Sequence, residues 1–554
     1  MFETKKVVVI AIVALAVGVP FIFREKSSSI IPIGNAETLV IITPHNEALR
    51  REYSIGFKKW YKAMTGKDVN LDWRYQGGGR DAIRYIESMF ANNFRLHWTE
   101  ELHHEWNTTT AAAFAARSEK MLDVAVNAPE WAVTMKFFES NVGCGADILF
   151  GCGTPEHKSQ AEKGNLVPCE LLFECPDMFD DDTIPEFLSG NRLWDRKGRW
   201  FGASLSAFGI IYNREAIEED GIGFFPKMWT DIGRPEFFGK LAIVDPTKSS
   251  STQKSFGMLI QQQMQICYDE LLEKRGVAVL PKKYEAKAIS DGWMNGLRLI
   301  QKIVANGRYF TESTTRPVVD VSSGNCLAGI AVDFYGSAEA KHLEERSGSK
   351  RFKFAMPIGG GAPEADPIGI FRGAQNPELA KKFIEFVLSL EGQKLLDFNL
   401  HTPGGPEKTT MRRVPILKTV YEEQYKQYRC DPTVDPYAAA SSFTSHDEWM
   451  GKVYGYIGVV IKLAFIEPSC ELSDAMSAII RASGEGRERD AAEAYGVLSD
   501  LSDMSYENLV SQIIPVLAGK DVLRNAVLQN EISEKYRLQY LKAKRIAEGD
   551  QRKK

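Results

Sequence analysis

Short apolar runs alternate with amphipathic segments along the first three quarters of the chain. The run Leu39–Thr43 ends at a proline, and apolar side chains then recur every three or four residues over Leu49–Met64. The first pattern is typical of a buried strand and the second of a helix with one apolar face. Val69–Tyr75 alternates between apolar and polar residues, which predicts a second strand, and Gly77–Gly79 follow it. This order predicts a parallel α/β sheet with right-handed crossovers.

The same alternation recurs in the middle of the chain, where further short apolar runs predict buried strands. These runs are Ala146–Phe150, Gly209–Asn213, Lys240–Val244, Cys326–Phe334, Phe352–Pro357 and Pro367–Phe371. Beyond about Arg412 the strand patterns fade and helical spacing dominates. The pattern therefore predicts two α/β blocks followed by an all-helical extension.

One uncharged apolar segment, Val7–Phe23, precedes the first predicted strand. Lys5 and Lys6 stand before it, and Arg24 and Lys26 close it off. A basic start followed by an apolar run is typical of an export signal or a membrane anchor. Seventeen residues are at the short end of a bilayer span, so both interpretations stay open. We expect residues 1–36 to be this signal peptide or anchor, and the rest of the chain to lie in the periplasm.

Charge and cysteine content narrow the function classes. The formal net charge is −5, which is close to balanced and does not suggest a nucleic-acid partner. Eight cysteines fit an oxidising compartment, and Cys144 with Cys152, or Cys169 with Cys175, could each close a small loop. Sequence leaves the connectivity open. No Cys-x-x-Cys pair occurs, which disfavours a zinc site.

Small polar residues and glycines follow nearly every predicted strand. In open α/β sheets, ligands bind beyond the carboxyl ends of the strands, close to helix N-termini. One such loop is ordinary helix capping, but five of them in two blocks predict a polar cleft between two lobes. The five loops are Thr43–Glu47, Gly77–Gly79, Gly151–Thr154, Asp245–Thr252 and Asp333–Ser337.

A family resemblance extends over about Leu39 to Val420. The segments that carry it, in order, are LVIITPHNEALRREYSIGFKKWY, ADILFGCGTPEHKSQAEKGNLVP, GASLSAFGIIYNREAIEEDGI, DPTKSSSTQKSFGM, AVDFYGSAEAKH and PIGIFRGAQNPELAKKFIEFVLSLEGQKLL. They resemble the extracellular solute-binding proteins of ABC transporters, in the two-lobed class that includes ferric-ion-binding proteins. The resemblance implies a type 2 periplasmic-binding-protein fold, a solute held between the lobes and a permease partner in the inner membrane.

The resemblance also implies a domain organisation. We expect the first lobe to comprise residues 37–205 and 333–411, and the second lobe residues 206–332. The chain is expected to cross between them near Phe201–Phe208 and again near Asp333. Residues 412–554 are expected to form a helical extension outside the family core.

Ferric-binding members of this class hold the metal with an early histidine, an acidic residue and two adjacent tyrosines, assisted by a small anion. His45 stands in the place of the histidine, and Ser250, Ser251 and Thr252 stand where the anion is expected. Tyr335 matches one tyrosine, but Phe334 replaces its neighbour and supplies no oxygen ligand. A carboxylate of Glu47 or Asp333 could compensate.

Two kinds of ligand therefore stay open. One is ferric ion with an anion, with His45 and Tyr335 as metal ligands and the iron as cargo. The other is a small anionic or polar organic solute. The remaining expected ligand contacts are Gly78, Gly79, Thr154 and Ser204.

An enzyme is the alternative from a different class. An exported hydrolase or lyase would use His45 with Glu47 or Asp333 in the same cleft, and acid and base would have to reach one substrate atom. No Gly-x-Ser-x-Gly elbow in a strand–helix context and no Walker-type loop occurs. We therefore expect a binding protein without catalytic residues.

Overall fold

A computed structural model describes residues 36–123, 129–439, 443–519 and 521–549. The predicted export segment Val7–Phe23 lies outside the described residues. Over the described ranges, every helix is too short or too polar to cross a membrane.

The strands form two separate main sheets and a small hairpin. The first sheet has the order β14-β7-β13-β3-β1-β2, with β4 beside β13, and the second has the order β10-β9-β11-β8-β12. Strands β5 and β6 make the hairpin. The bounds are β1 Glu37–Ile42, β2 Val69–Arg74, β3 Ile148–Phe150, β4 Leu166–Val167, β5 Phe187–Leu188, β6 Asn191–Arg192, β7 Phe201–Ser206, β8 Phe208–Asn213, β9 Leu241–Val244, β10 Gly307–Thr311, β11 Ala328–Val332, β12 Phe352–Ala355, β13 Glu364–Phe371 and β14 Val414–Pro415.

Helices cover both sheets and make up most of the C-terminal part. Their bounds are α1 Glu47–Thr65, α2 Gly79–Leu96, α3 Thr108–Ala115, α4 Pro129–Glu139, α5 Thr154–Glu162, α6 Leu171–Glu174, α7 Arg214–Glu219, α8 Trp229–Ile232, α9 Ser250–Arg275, α10 Lys282–Ala305, α11 Arg316–Ser322, α12 Asp333–Ser347, α13 Pro377–Leu388, α14 Leu390–Asp397, α15 Glu423–Lys426, α16 Pro436–Ala439, α17 Asp447–Met450, α18 Ile457–Ile461, α19 Ser469–Gly484, α20 Glu488–Leu498, α21 Tyr506–Asn508, α22 Ile514–Leu517 and α23 Val522–Ala547.

The two ends and the buried face of helix α1 follow from its local sequence. The Asn46 side chain accepts a hydrogen bond from the backbone N–H of Leu49 at 3.0 Å, which caps the helix start. Gly66 ends the helix with φ +72°, a conformation that suits glycine. The spaced residues Leu49, Tyr53, Phe57 and Tyr61 are buried against the first sheet, as the periodicity predicted. Met64, the last residue of the predicted stripe, is exposed.

The two-lobed α/β architecture is confirmed, and the chain passes between the lobes three times: at two crossings between the sheets, and again after β14 of the first sheet, since Phe443 packs with residues of the second lobe. The first crossing is at Ala207, between β7 of the first sheet and β8 of the second. The second lies between Ala355 and Glu364, because β12 pairs antiparallel with β8 and β13 pairs with β7. The structure therefore places this return later than the expected position near Asp333. The reason is that α12 leads into one more strand, which completes the edge of the second sheet.

The C-terminal part belongs to both lobes. Strand β14 pairs with β7, so the first lobe continues past residue 411. From Phe443 onward the helices pack on the second lobe, where Trp293, Ile457, Tyr536 and Tyr540 share one buried core. The indole Nε1 of Trp293 donates to the backbone oxygen of Met504 at 2.7 Å. The extension is therefore part of the second lobe's core, and its removal would expose that core to water.

All eight cysteines are free thiols, so neither of the two possible short disulfide loops is formed. Strand β3 separates Cys144 from Cys152. An extended strand rises about 3.3 Å per residue, whereas a disulfide needs Cα atoms within about 7 Å. The strand therefore holds these two residues apart.

Candidate functional site

His45 lies directly after β1, and both of its ring nitrogens are engaged. Nδ1 is 2.9 Å from Thr43 Oγ1, and Nε2 is 2.8 Å from Asp366 Oδ2. Gly151 has φ +95°, and a Cβ at this position would lie 2.9 Å from His45 Cε1, so glycine allows the close approach. Burial lowers the pKa of His45, and the charge of Asp366 opposes this shift.

Asp366 connects His45 to Arg413. It lies on β13 opposite Ser204 of β7, and its Oδ2 accepts a hydrogen bond from Arg413 Nη2 at 2.6 Å. Burial works to raise the pKa of Asp366, but His45 and Arg413 together outweigh it and hold that pKa below its ordinary value. Asp366 is therefore a largely buried carboxylate that is held from two sides.

Arg413 is buried at the boundary between the lobes. Its guanidinium carbon lies 4.5 Å from the ring centroid of Phe334, which belongs to the second lobe. Its Nε–H is buried and has no acceptor among the described residues. Arg413 thus joins the two lobes and retains one unused donor.

Asp333 and Tyr335 begin α12 and have structural contacts. Asp333 Oδ2 accepts from the backbone N–H of Ala207 at 2.9 Å, and Oδ1 accepts from that of Phe334 at 2.7 Å. Burial raises the pKa of Asp333 to about 6. Burial also raises the pKa of Tyr335, so its phenol is protonated at neutral pH.

The donors for a ferric site are engaged elsewhere. His45 could ligate iron through Nε2 only by releasing Asp366. Over the described ranges, no group of three or more His, Cys, Asp and Glu side chains could hold a metal ion. The assignment of His45 and Tyr335 as metal ligands therefore stays a prediction, and no carboxylate cluster among the described residues supports it.

The expected anion-binding turn forms the start of α9. Ser249 caps the helix, because its Oγ accepts from the backbone N–H of Thr252 at 3.1 Å. The hydroxyl of Thr252 lies 3.1 Å from the same oxygen, so it belongs to the cap. Ser250 and Ser251 are half-buried in the first turn, where helix N–H groups favour anions. Ser250 Oγ lies 3.6 Å from the position of a Cβ on Gly79, so this turn lies against the first lobe.

Arg80 reaches from the first lobe to this turn. Gly78 caps α2 and is exposed, Gly79 begins the helix, and Arg80 follows. Arg80 Nη2 donates to the backbone oxygen of Pro246 at 3.3 Å and to Gln253 Oε1, both in the second lobe. Its Nε–H is buried without an acceptor in the part of the chain that the structure describes.

A polar cluster lies beside Arg80. Lys254 Nζ is 3.0 Å from Glu364 Oε1, and both side chains are less than a tenth exposed. Burial raises the pKa of Glu156 to about 7; Glu364 adds to this rise, whereas Arg80 and Lys254 oppose it. The cluster therefore combines groups from the first lobe, from α9 and from the strand after the second crossing.

A cavity of about 310 Å³ lies at the junction of the lobes. Its lining includes Ser206, Ala207, Asp333, Phe354, Pro363 and Arg413. Both crossings contribute to it, so a change in lobe orientation would change its shape. Its size suits a small organic molecule.

The other expected contacts differ in their surroundings. Thr154 is buried, and its Oγ1 donates to the backbone oxygen of Ala365 at 3.1 Å. Ser204 is buried in β7 beside Asp366, whereas Glu47 is exposed in the first turn of α1. The structure thus gathers His45, Gly79, Ser204, Ser250 and Asp333 at the lobe boundary and leaves Glu47 and Gly78 exposed to solvent.

Sequence reasoning missed the charged residues of the site: Arg80, Glu156, Lys254, Glu364, Asp366 and Arg413. Arg80 had a local signal, since it directly follows the three glycines. Arg413 had none, because its partner Asp366 is 47 residues away in the chain.

Residues 162–415 match the model of a family described as bacterial extracellular solute-binding protein. The matched segment, just under half of the chain, is similar to the solute-binding domains of this family. The match confirms the family resemblance, and it includes Ser250, Asp333, Asp366 and Arg413. His45 and Arg80 lie before the matched residues.

Individual relatives are distant. An uncharacterized protein of Haemophilus influenzae is 23% identical over 252 residues, which are 45% of this chain and 60% of that protein. Iron-bound HitA of Pseudomonas aeruginosa is 16% identical with a TM-score of 0.43, over 76% of this chain and 98% of HitA. AfuA of Actinobacillus pleuropneumoniae, with fructose-6-phosphate bound, is 17% identical with a TM-score of 0.41, over 65% of this chain and 81% of AfuA.

Proposed function

We propose that this protein is the solute-binding component of an ABC importer and that it captures a small organic anion between its lobes. It acts outside the cytoplasm and delivers the anion to a permease in the inner membrane. The family match of residues 162–415 supports the binding role. The geometry of the lobe boundary supports the ligand class.

The observation that carries the ligand class is a pair of unused arginine donors. The Nε–H groups of Arg80 and Arg413 are both buried and lack an acceptor among the described residues. Leaving a buried donor unpaired costs about 1–3 kcal/mol, and more for a charged group. Carboxylate or phosphate oxygens would satisfy such donors with strong, charge-assisted hydrogen bonds. An anion is therefore the ligand that this boundary is best suited to bind.

Closure follows from the position of the two arginines. Arg80 contacts Pro246 of the second lobe, and Arg413 lies over Phe334 of the second lobe. A ligand that contacts both lobes shifts the population towards the closed form, because its affinity for that form is higher. The two crossings, at Ala207 and between Ala355 and Glu364, would act as the hinge.

The His45 contacts favour binding over catalysis. Thr43, His45 and Asp366 form a hydroxyl–imidazole–carboxylate chain, an arrangement that can activate a nucleophile. Thr43, however, is fully buried, so its hydroxyl cannot reach a solute. Asp366 is also paired with Arg413. The hydrogen bonds among Thr43, His45 and Asp366 therefore stabilise the geometry of the site.

Native mass spectrometry of the full chain, with elemental analysis for iron on the same sample, tests this function. We expect an organic adduct with one molecule per chain and no stoichiometric iron. One iron per chain without an organic adduct would contradict the proposed ligand class. Turnover of the adduct by the purified protein would contradict the binding role.

A further inference from the structure

Residues Phe443–Tyr456, which we call the strap, contact the first lobe. The backbone N–H of Ser445 donates to the backbone oxygen of Ser189 at 2.8 Å. Lys158 Nζ lies 2.5 Å from Asp447 Oδ2. Gly190 lies under the strap, since a Cβ there would be 2.2 Å from the backbone oxygen of Ser445.

The strap is also held by the second lobe. Gln261 Oε1 accepts from the backbone N–H of His446 at 2.8 Å, and Gln253 Nε2 donates to the backbone oxygen of Tyr454 at 2.9 Å. Val453 is fully buried in the core that α9 and α10 share with the C-terminal helices. These contacts are more deeply buried than those with the first lobe, so the strap should move with the second lobe.

Both ends of the strap reach the lobe boundary. Phe443 is buried with Phe208, Val332 and Ala362, close to the two crossings. The ring of Tyr454 lies 5.7 Å from Lys254 Nζ, beside the cluster that contains Glu156 and Glu364. The strap therefore extends from the crossings to the Arg80 side of the cleft.

We propose that the strap, at which the chain re-enters the second lobe, fastens the first lobe to the second and restricts opening of the cleft. Rotation of the first lobe away from the second would have to break the contacts of Ser189, Gly190 and Lys158 with the strap. The C-terminal extension thereby controls ligand exchange. This consequence rests on the proposed function, whereas the fastening itself does not.

Two substitutions release the strap from the first lobe alone. Gly190→Val places a side chain against the Ser445 oxygen, and Asp447→Lys turns the contact with Lys158 into a repulsion. Gly221→Val is the control for backbone strain, since φ is +78° at Gly221 and +77° at Gly190. A Cβ added at Gly221 would have no atom within 4 Å, so this control adds strain without a steric clash. Glu448→Lys is the control for charge, since the exposed Glu448 contacts His446 of the strap itself.

The test compares the ligand-free full chains by small-angle X-ray scattering and hydrogen exchange. We expect both strap variants to have a larger radius of gyration than their controls, and amide exchange at Ser445, whose N–H is held by the first lobe, to be at least ~10-fold faster. Equal scattering and exchange in the variants and controls would overturn the proposal. These measurements need no ligand. The strap proposal can therefore be refuted while an organic adduct supports the proposed function, and the proposed function can be refuted while the strap proposal stands.

Discussion

The guanidinium of Arg413 lies 4.5 Å from the ring centroid of Phe334 and thereby connects the first lobe to the second. This contact gives a physical role to the phenylalanine that replaces one of the paired tyrosines. A cation over an aromatic face is attracted by the ring quadrupole. The same cation would repel a ferric ion placed at this position.

Phe334→Tyr therefore should not create an iron site. The substitution restores the paired tyrosines, but Arg413 and the engaged ring nitrogens of His45 remain. We expect no stoichiometric iron in the variant after incubation with ferric citrate, measured by elemental analysis. Phe225→Tyr is the control for a tyrosine added elsewhere on the second lobe, since Phe225 packs beside Tyr212 on that lobe's core. Stoichiometric iron in Phe334→Tyr alone would show that Phe334 is what excludes the metal.

The ion pair between Asp366 and Arg413 should behave as a buried pair. We expect Arg413→Gln to lower the free energy of unfolding by about 3 kcal/mol, because it leaves the Asp366 carboxylate with His45 alone. Denaturant unfolding measures this loss. The double variant Asp366→Asn with Arg413→Gln removes both charges and should recover much of it. If the double variant lost as much free energy of unfolding as the single variants Arg413→Gln and Asp366→Asn lose together, the two residues would not be coupled.

Anion binding should depend on the start of α9. Ser251→Glu adds a negative charge at the half-buried first turn, so we expect the organic adduct to be lost from native mass spectra. The helix itself should stay intact, since an acidic residue stabilises an N-terminal turn. Ser469→Glu is the matched control, because Ser469 is in the first turn of α19, away from the lobe boundary. A normal adduct in Ser251→Glu would exclude this turn from the site.

Glu156 should make stability depend on pH. Its pKa is raised from 4.5 to about 7 by burial, so the folded state binds its proton more tightly than the unfolded state. Between about pH 4.5 and pH 7, stability should therefore fall as pH rises. Glu156→Gln should remove this part of the slope in unfolding measured across that range. Glu47→Gln, at an exposed position, should keep the slope, and an unchanged slope in Glu156→Gln would contradict the assignment.

Much of the scaffold could be predicted from local patterns. The helix spacing after Asn46 and the short apolar runs indicated α1 and the sheet strands, since burial of one face acts within a few residues. Those patterns also indicated that His45, Gly79 and Ser250 follow strands. They did not assign β12 to the second sheet, because a short apolar run is compatible with either sheet.

Sequence by itself determined the elements of this protein, the division into α/β lobes and the polar loops at strand ends. Tertiary structure alone decided which charges meet there. Asp366 and Arg413 become partners because β13 and β14 both pair with β7, and strand pairing brings together residues that are distant in the chain. The strap likewise reaches both lobes only because its helices share the core of the second lobe. Such contacts depend on the packed positions of whole elements, which no local periodicity encodes.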